Sequence, residues 1–133
     1  MYWSNTRSMA RFGLMIYAKG KWENTQIVPE AYLNETTNTS QDINKAYGYL
    51  WWLNGKSSHH LPGLQVQFNG VLIPNAPADM YAALGKNDQK IYVVPSKKLV
   101  VIRMGEVANL DNPTFALSGF DDELWSKIDA LIN

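Results

Sequence analysis

The side chains best suited to acyl transfer are serines that have a potential base nearby in the sequence. A serine nucleophile needs a base within hydrogen-bonding reach, and a lysine one helical turn later is one way to supply it. No serine in the chain has a lysine three residues later. At that spacing Ser8 meets Arg11, whose guanidinium stays protonated at neutral pH. The Ser-x-x-Lys arrangement is therefore absent from this chain.

A serine–histidine combination occurs in the run Ser57-Ser58-His59-His60. Neighbouring positions do not create the geometry of a catalytic triad, so we expect a solvated loop or the rim of a cleft. A metal site would need a third ligand, and Asp79 is the only acid nearby. We predict no metal site and no cofactor.

Composition excludes several classes of partner. The 133 residues are 46% hydrophobic, enough for one domain with a core, and contain no cysteine. Formal charge is zero and no basic stripe stands out, which argues against nucleic acid. No apolar run approaches the ~18 residues of a membrane span. Met1–Ser4 lacks the regions of a signal peptide and leads almost directly into a helical pattern, which suggests a chain cut from something longer.

Apolar periodicity and capping residues predict three helices. They run from Thr6 to Lys19, from Pro29 to about Asn34, and from a cap at Asp121 to about Ile132. Phe120, just before that cap, and Trp125 are expected to form a hydrophobic staple.

Four strands are expected, the last three of them joined by short connections as an antiparallel meander. A long irregular segment, Lys56 to Ala78, precedes the meander and has at most one short strand near Leu64–Phe68. The predicted class is α+β: an antiparallel sheet with a C-terminal helix packed on it and N-terminal helices. The helical segment covers 1–46 and the sheet with its helix 47–133, as a single domain or fragment. The predicted strands are Tyr47–Leu53, Met80–Leu84, Lys90–Val94 and Leu99–Met104.

Three segments, in this order, resemble β-lactamase-related serine hydrolases, the class C β-lactamase and esterase branch of the penicillin-binding-protein-like superfamily. They are the helix and following turn over 4–22, the aromatic Tyr47-Gly48-Tyr49-Leu50-Trp51-Trp52, and the stretch 82–103. The resemblance covers nearly the whole chain. It implies the C-terminal part of the β-lactamase/transpeptidase-like fold, whose sheet is completed by N-terminal strands and a helix, and it favours a bacterial periplasmic or secreted location.

The resemblance also says which parts of the family's machinery are missing. Neither the Ser-x-x-Lys motif nor the catalytic Tyr-x-Asn is present, because Tyr32-Leu33-Asn34 follows the helix that the true motif precedes. Ala83-Leu84-Gly85 occupies the position of the third motif, Lys/His-Thr/Ser-Gly. Its apolar side chains disfavour a β-lactam and favour an ester, amide or peptide substrate. The backbone N–H of Lys86 would be the second oxyanion-hole donor.

Tyr47, Tyr49 and Trp51 are candidate substrate-binding residues, because alternate residues of a strand share one face. Which aromatic residues face the cleft stays open. The expected function is the third-motif strand and oxyanion-hole wall of a serine hydrolase, with the chain inactive alone. The alternative is a non-enzymatic ligand- or peptide-binding module that uses the aromatic strand and the Pro-rich loop. In a third interpretation, a missing N-terminal portion complements the chain, or the chain self-associates through exposed sheet surface.

Overall fold

The chain forms an α+β fold, and the computed structural model describes residues 4–109 and 116–132. Within those residues, two helices and several short strands precede the last three strands of the main sheet, and a final helix follows them. The elements are α1 Thr6–Tyr17, β1 Lys21–Trp22, β2 Thr25–Gln26, α2 Glu30–Thr36, β3 Trp52–Leu53, β4 Ser58–His60, β5 Gln67–Asn69, β6 Tyr81–Leu84, β7 Lys90–Val94, β8 Leu99–Arg103 and α3 Gly119–Ile132.

The main sheet is antiparallel, with four strands in the order β3-β6-β7-β8. The predicted meander of β6, β7 and β8 is confirmed. In its register, Ile91 of β7 lies opposite Ala83 on one side and Ile102 on the other. All five residues of β7 are buried, because this central strand has a packed core on each face of the sheet.

Each face of the sheet is covered by helices. Alternate residues of a strand face opposite sides, so Tyr92 and Val94 join the core on the α3 side. Ile91 and Val93 join the core on the α1 and α2 side. The Trp125 ring of α3 meets Tyr92 edge-on, with ring centroids 5.4 Å apart. The predicted α+β class with a C-terminal helix on the sheet is confirmed.

Helix α1 lies unusually close to the sheet at a glycine. The Asn5 side chain caps the helix by accepting from the Ser8 amide. A Cβ on Gly13 would lie 2.6 Å from Cγ1 of Val100, which is closer than side chains approach each other. Gly13 therefore sets the distance between α1 and strands β7 and β8.

The predicted strand Tyr47–Leu53 is wrong over most of its length. Only Trp52–Leu53 is a strand, and Tyr47 forms a bridge back to Trp52. The Gly48 amide donates to the carbonyl of Trp51, and Leu50 takes a left-handed φ of 66°. We call residues 47–52 the aromatic turn. The physical reason is a close approach: a Cβ on Gly48 would lie 2.0 Å from a carbonyl oxygen at the end of α2.

The long segment after β3 is more ordered than predicted. Strands β4 and β5 form a hairpin in which His59 pairs with Phe68, so the expected strand at Leu64–Phe68 lies slightly later, in β5. The residues that follow have no regular structure and are held by buried Asn54. Its Nδ2 donates to the carbonyls of Ile73, Ala76 and Pro77 at 3.0–3.1 Å, and its Oδ1 accepts from the Ile73 amide.

The predicted start of α3 is wrong by three residues. The helix begins at Gly119, so Asp121 is in its first turn and is not the cap. Asp121 Oδ2 instead accepts from the Ser118 amide at 2.8 Å, as the third helical residue does in a capping box. Phe120 lies under the guanidinium of Arg103, 5.3 Å from Cζ to the ring centroid.

We predict that Gly13→Ala destabilises the protein by about 1 kcal/mol, because overpacking against Val100 outweighs the better helix propensity of alanine. Urea unfolding measures the change. Gly119→Ala is the matched control, since nothing lies within 4 Å of its added Cβ, and it should be neutral or slightly stabilising. A Gly13→Ala variant as stable as wild type would show that α1 is not held at this distance.

Candidate ligand pocket

A pocket of about 620 Å³ opens where β6 ends. One wall comes from the sheet, one from the aromatic turn and one from the loop of the β4–β5 hairpin. The lining residues are Met9, Asn44, Tyr47, Leu50, Trp52, His60, Leu61, Pro62, Ala83, Leu84, Gly85, Gln89, Lys90, Ile91, Met104 and Ala116.

The structure brings together four of the predicted substrate-binding residues. Tyr47, Ala83, Leu84 and Gly85 all line this pocket, although 35 residues lie between Tyr47 and Ala83 in the sequence. Tyr47 is held there by an edge-on contact with Trp52, with ring centroids 4.8 Å apart.

The other predicted site residues lie outside the lining. Trp51 is buried on the α1 side, stacked on Phe12 with a centroid distance of 6.5 Å. Tyr49 is exposed and faces the ring of Tyr32. Lys86 is exposed on the turn after β6. The expected alternation failed because the aromatic segment turns back on itself.

Part of the β6 edge at the pocket has no partner strand among the described residues. Strand β3 pairs only with Tyr81 and Ala82, and the residues that follow line the pocket. On the opposite edge the Gly85 amide donates to the carbonyl of Gln89 at 2.8 Å. Because backbone groups of successive extended residues point to alternate edges, the Leu84 groups and the Lys86 amide point away from β7.

Two polar side chains of the lining are bound by the protein itself. Asn44 accepts from the His60 amide and donates to the His60 carbonyl. Gln89 donates to the carbonyls of Asn87 and Gly105 and accepts from the Gly105 amide. Their polar groups fix the pocket walls.

The only lysine in the lining is fully buried and fully bonded. Lys90 Nζ lies 3.0 Å from Asp121 Oδ2 and 3.3 Å from Asp88 Oδ1, and it also donates to the carbonyl of Ala116. An ammonium has three donors, so these three acceptors leave none for a ligand. We call Asp88, Lys90, Tyr92, Ser118 and Asp121 the buried ion cluster.

The remaining members complete its hydrogen bonding. Tyr92 donates to Asp121 Oδ1 at 2.6 Å, and Ser118 Oγ lies 2.9 Å from Asp88 Oδ1. Burial raises the pKa of Asp88, but bonds from the Ala108 amide, Ser118 and Lys90 outweigh it and lower that pKa overall. Burial, followed by the Asp121 carboxylate, raises the pKa of Tyr92. The cluster is thus one ammonium between two carboxylates, with a protonated tyrosine.

The two histidines lie on strand β4, so the expectation of a loop is wrong. His60 lines the pocket, whereas His59 is buried, stacks on Phe68 at 5.5 Å and has Nδ1 3.2 Å from the Gly70 carbonyl. Over residues 4–109 and 116–132, the lining includes no serine, threonine or cysteine. Sequence reasoning left His60 aside because the pairing with β5 that orients it is not visible in the sequence.

Two searches of the described residues were negative. Over 4–109 and 116–132, no three acidic or histidine side chains are grouped so that they could hold a metal ion. No helix in the same ranges has the length and apolarity to cross a membrane.

No protein-family model matches the chain, and no curated protein matches it significantly. The resemblance to β-lactamase-related enzymes therefore rests on the residues quoted above.

We predict that Lys90→Met destabilises the protein by about 3–5 kcal/mol, because it leaves two buried carboxylates without their cation. Lys86→Met, at an exposed lysine, should change stability by less than about 0.5 kcal/mol. Chemical denaturation compares the two variants. If Lys90→Met does not fold, circular dichroism records that result, which agrees with the prediction provided that Lys86→Met folds. Equal stabilities would contradict it.

Proposed function

We propose that this chain is the C-terminal part of a β-lactamase-like serine hydrolase, in which it supplies the third-motif strand and the oxyanion-hole wall. The observation that carries the proposal is the open edge of β6 at the pocket. The residues on this edge, Ala83-Leu84-Gly85, are those that resemble the third motif. The Leu84 groups and the Lys86 amide on that edge are suited to hold a substrate carbonyl.

The glycine supports the same interpretation. A Cβ at Gly85 would meet only Gln89, at 3.4 Å, and the backbone φ is −108°. Neither packing nor backbone conformation requires glycine at this position. A requirement for close approach by a substrate would explain why glycine is present.

The chemistry must be completed from outside this chain. The described part of the lining offers no hydroxyl nucleophile apart from the phenol of Tyr47, and Lys90 is held by Asp88 and Asp121. We propose that the nucleophile and its base belong to an N-terminal portion and act on an ester, amide or peptide.

Strand β8 is the proposed site of contact with that portion. It pairs with β7 on one side, and no described strand pairs with its other edge. Its residues Leu99–Arg103 are half-buried and mostly apolar. An unpaired apolar edge is a template for another strand, and the resemblance implies that N-terminal strands complete the sheet. Without such an N-terminal portion, two copies of the chain could pair through the same edge of β8.

A second candidate function is supported by the pocket walls. The aromatic turn supplies Tyr47 and Trp52, and the Pro-rich loop supplies Leu61 and Pro62. A non-enzymatic module could hold a ligand or peptide between these walls, with the β6 edge adding backbone hydrogen bonds.

The chain alone should not be labelled by a fluorophosphonate or by benzylpenicillin, because no serine is among the described residues that line its pocket. Intact-mass spectrometry after incubation measures any adduct. Stoichiometric labelling of this chain would overturn the assignment of the nucleophile to another segment.

Restoring a hydroxyl at the third-motif position tests the assignment directly. Leu84→Thr should bind benzylpenicillin about tenfold more tightly than Leu84→Val, since a hydrogen bond to a charged group contributes about 1.5 kcal/mol or more. Threonine and valine have the same shape, so the comparison cancels the packing lost with leucine. Calorimetric titration measures both affinities. Equal affinities, or binding by neither variant, would contradict the assignment of Leu84 to that motif.

A further inference from the structure

Among the described residues of the lining, Lys90 is the one Lys, Arg, Asp or Glu, and it is paired within the protein. The side-chain amides of Asn44 and Gln89 are hydrogen-bonded to backbone groups of the protein. The ammonium of Lys90 has three acceptors within the protein. Tyr47 and His60 are the other titratable residues of the lining. The rest is apolar or aromatic: Met9, Leu50, Trp52, Leu61, Pro62, Ala83, Leu84, Gly85, Ile91, Met104 and Ala116. A charged group that entered would give up its water mainly to apolar surface, with only the His60 ring and the Tyr47 hydroxyl as further side-chain partners among the described lining residues.

Leu50, at the rim of the pocket, has both an exposed apolar side chain and an unfavourable backbone conformation. Leu50 lines the pocket yet is 79% exposed, and its φ of 66° is left-handed. Among the described non-glycine residues with positive φ, it alone has a large apolar side chain. Asparagine or glycine would suit this conformation and this exposure better. Strained positions that persist in spite of such costs are concentrated at ligand sites.

We infer that the pocket takes an uncharged apolar acyl or aryl group, joined to an ester or amide whose carbonyl meets the β6 edge, with Leu50 packing over the bound group. This inference rests on the proposed function and narrows its substrate class. The ligand would cover the exposed leucine, while the Leu84 and Lys86 backbone groups would hold the polar end. A substrate with a charge on the inserted group would be rejected.

Two matched ligands test the charge preference with the chain as it is. N-benzylacetamide is neutral and apolar, and 4-(acetamidomethyl)benzoate differs from it by one carboxylate. Each is titrated into the ¹⁵N-labelled chain and followed by amide chemical shifts. The neutral amide should shift the Leu84 and Lys86 signals and bind at least about tenfold more tightly than the benzoate. Equal binding, or shifts elsewhere on the molecule, would overturn the inference.

Two matched variants test Leu50. Leu50 and Ile43 are 79% and 78% exposed, but only Leu50 lines the pocket. Leu50→Asp should weaken N-benzylacetamide binding about fivefold or more while keeping the fold, because aspartate tolerates a left-handed backbone. Ile43→Asp should leave binding unchanged. Equal affinities of the two variants would show that Leu50 does not contact the bound ligand.

Failure of this inference is distinguishable from failure of the proposed function. If Leu50→Asp weakens neutral-amide binding while Leu84→Thr and Leu84→Val bind penicillin equally, the pocket preference stands and the hydrolase assignment fails. If the Leu84 variants differ as expected but the benzoate binds as well as the amide, the hydrolase assignment stands and the neutral-substrate inference fails.

Discussion

The ion pairing of Lys90 inside the protein is the constraint on which the rest of the structure depends. Placing one ammonium and two carboxylates out of water is costly unless every polar atom finds a partner. Here Lys90 has three acceptors, and both Asp88 and Asp121 receive further hydrogen bonds. The cluster joins β7, the turn after β6 and the start of α3. These three parts of the chain can adopt only the positions that keep all of its bonds formed.

The pocket takes its shape from the same constraint. Asp88 closes the turn that follows Gly85, and Ala116, whose carbonyl accepts from Lys90, lies in the pocket wall. The charges thus sit behind the wall, while the surface toward the ligand is apolar. The protein separates a buried polar network, which sets the geometry, from the apolar surface of the pocket. This division explains how Lys90 can line a largely apolar pocket.

The sequence was informative where structure follows from local pattern. Strands β6, β7 and β8 were predictable because alternation and short turns determine a meander. The aromatic turn was not, since its reversal depends on the contact of Gly48 with the end of α2. The ion cluster was not recognised because Lys90 and Asp121 are 31 residues apart. A lysine within an otherwise apolar strand was the available signal. Four of the predicted site residues line one pocket, because they lie on or beside regular strands.

Asn54 has a consequence for how the protein opens. The segment from Ile73 to Pro77 has no regular secondary structure and is held by two side chains: the Asn54 amide, which bonds Ile73, Ala76 and Pro77, and the Asp122 carboxylate, which accepts from Asn75. In a sheet, backbone bonds can break one at a time from an end. Here the Asn54 bonds share a single side chain, so they are lost together when its rotamer changes. Local opening of this segment therefore requires the loss of one side chain's bonds in a single cooperative step, distinct from global unfolding.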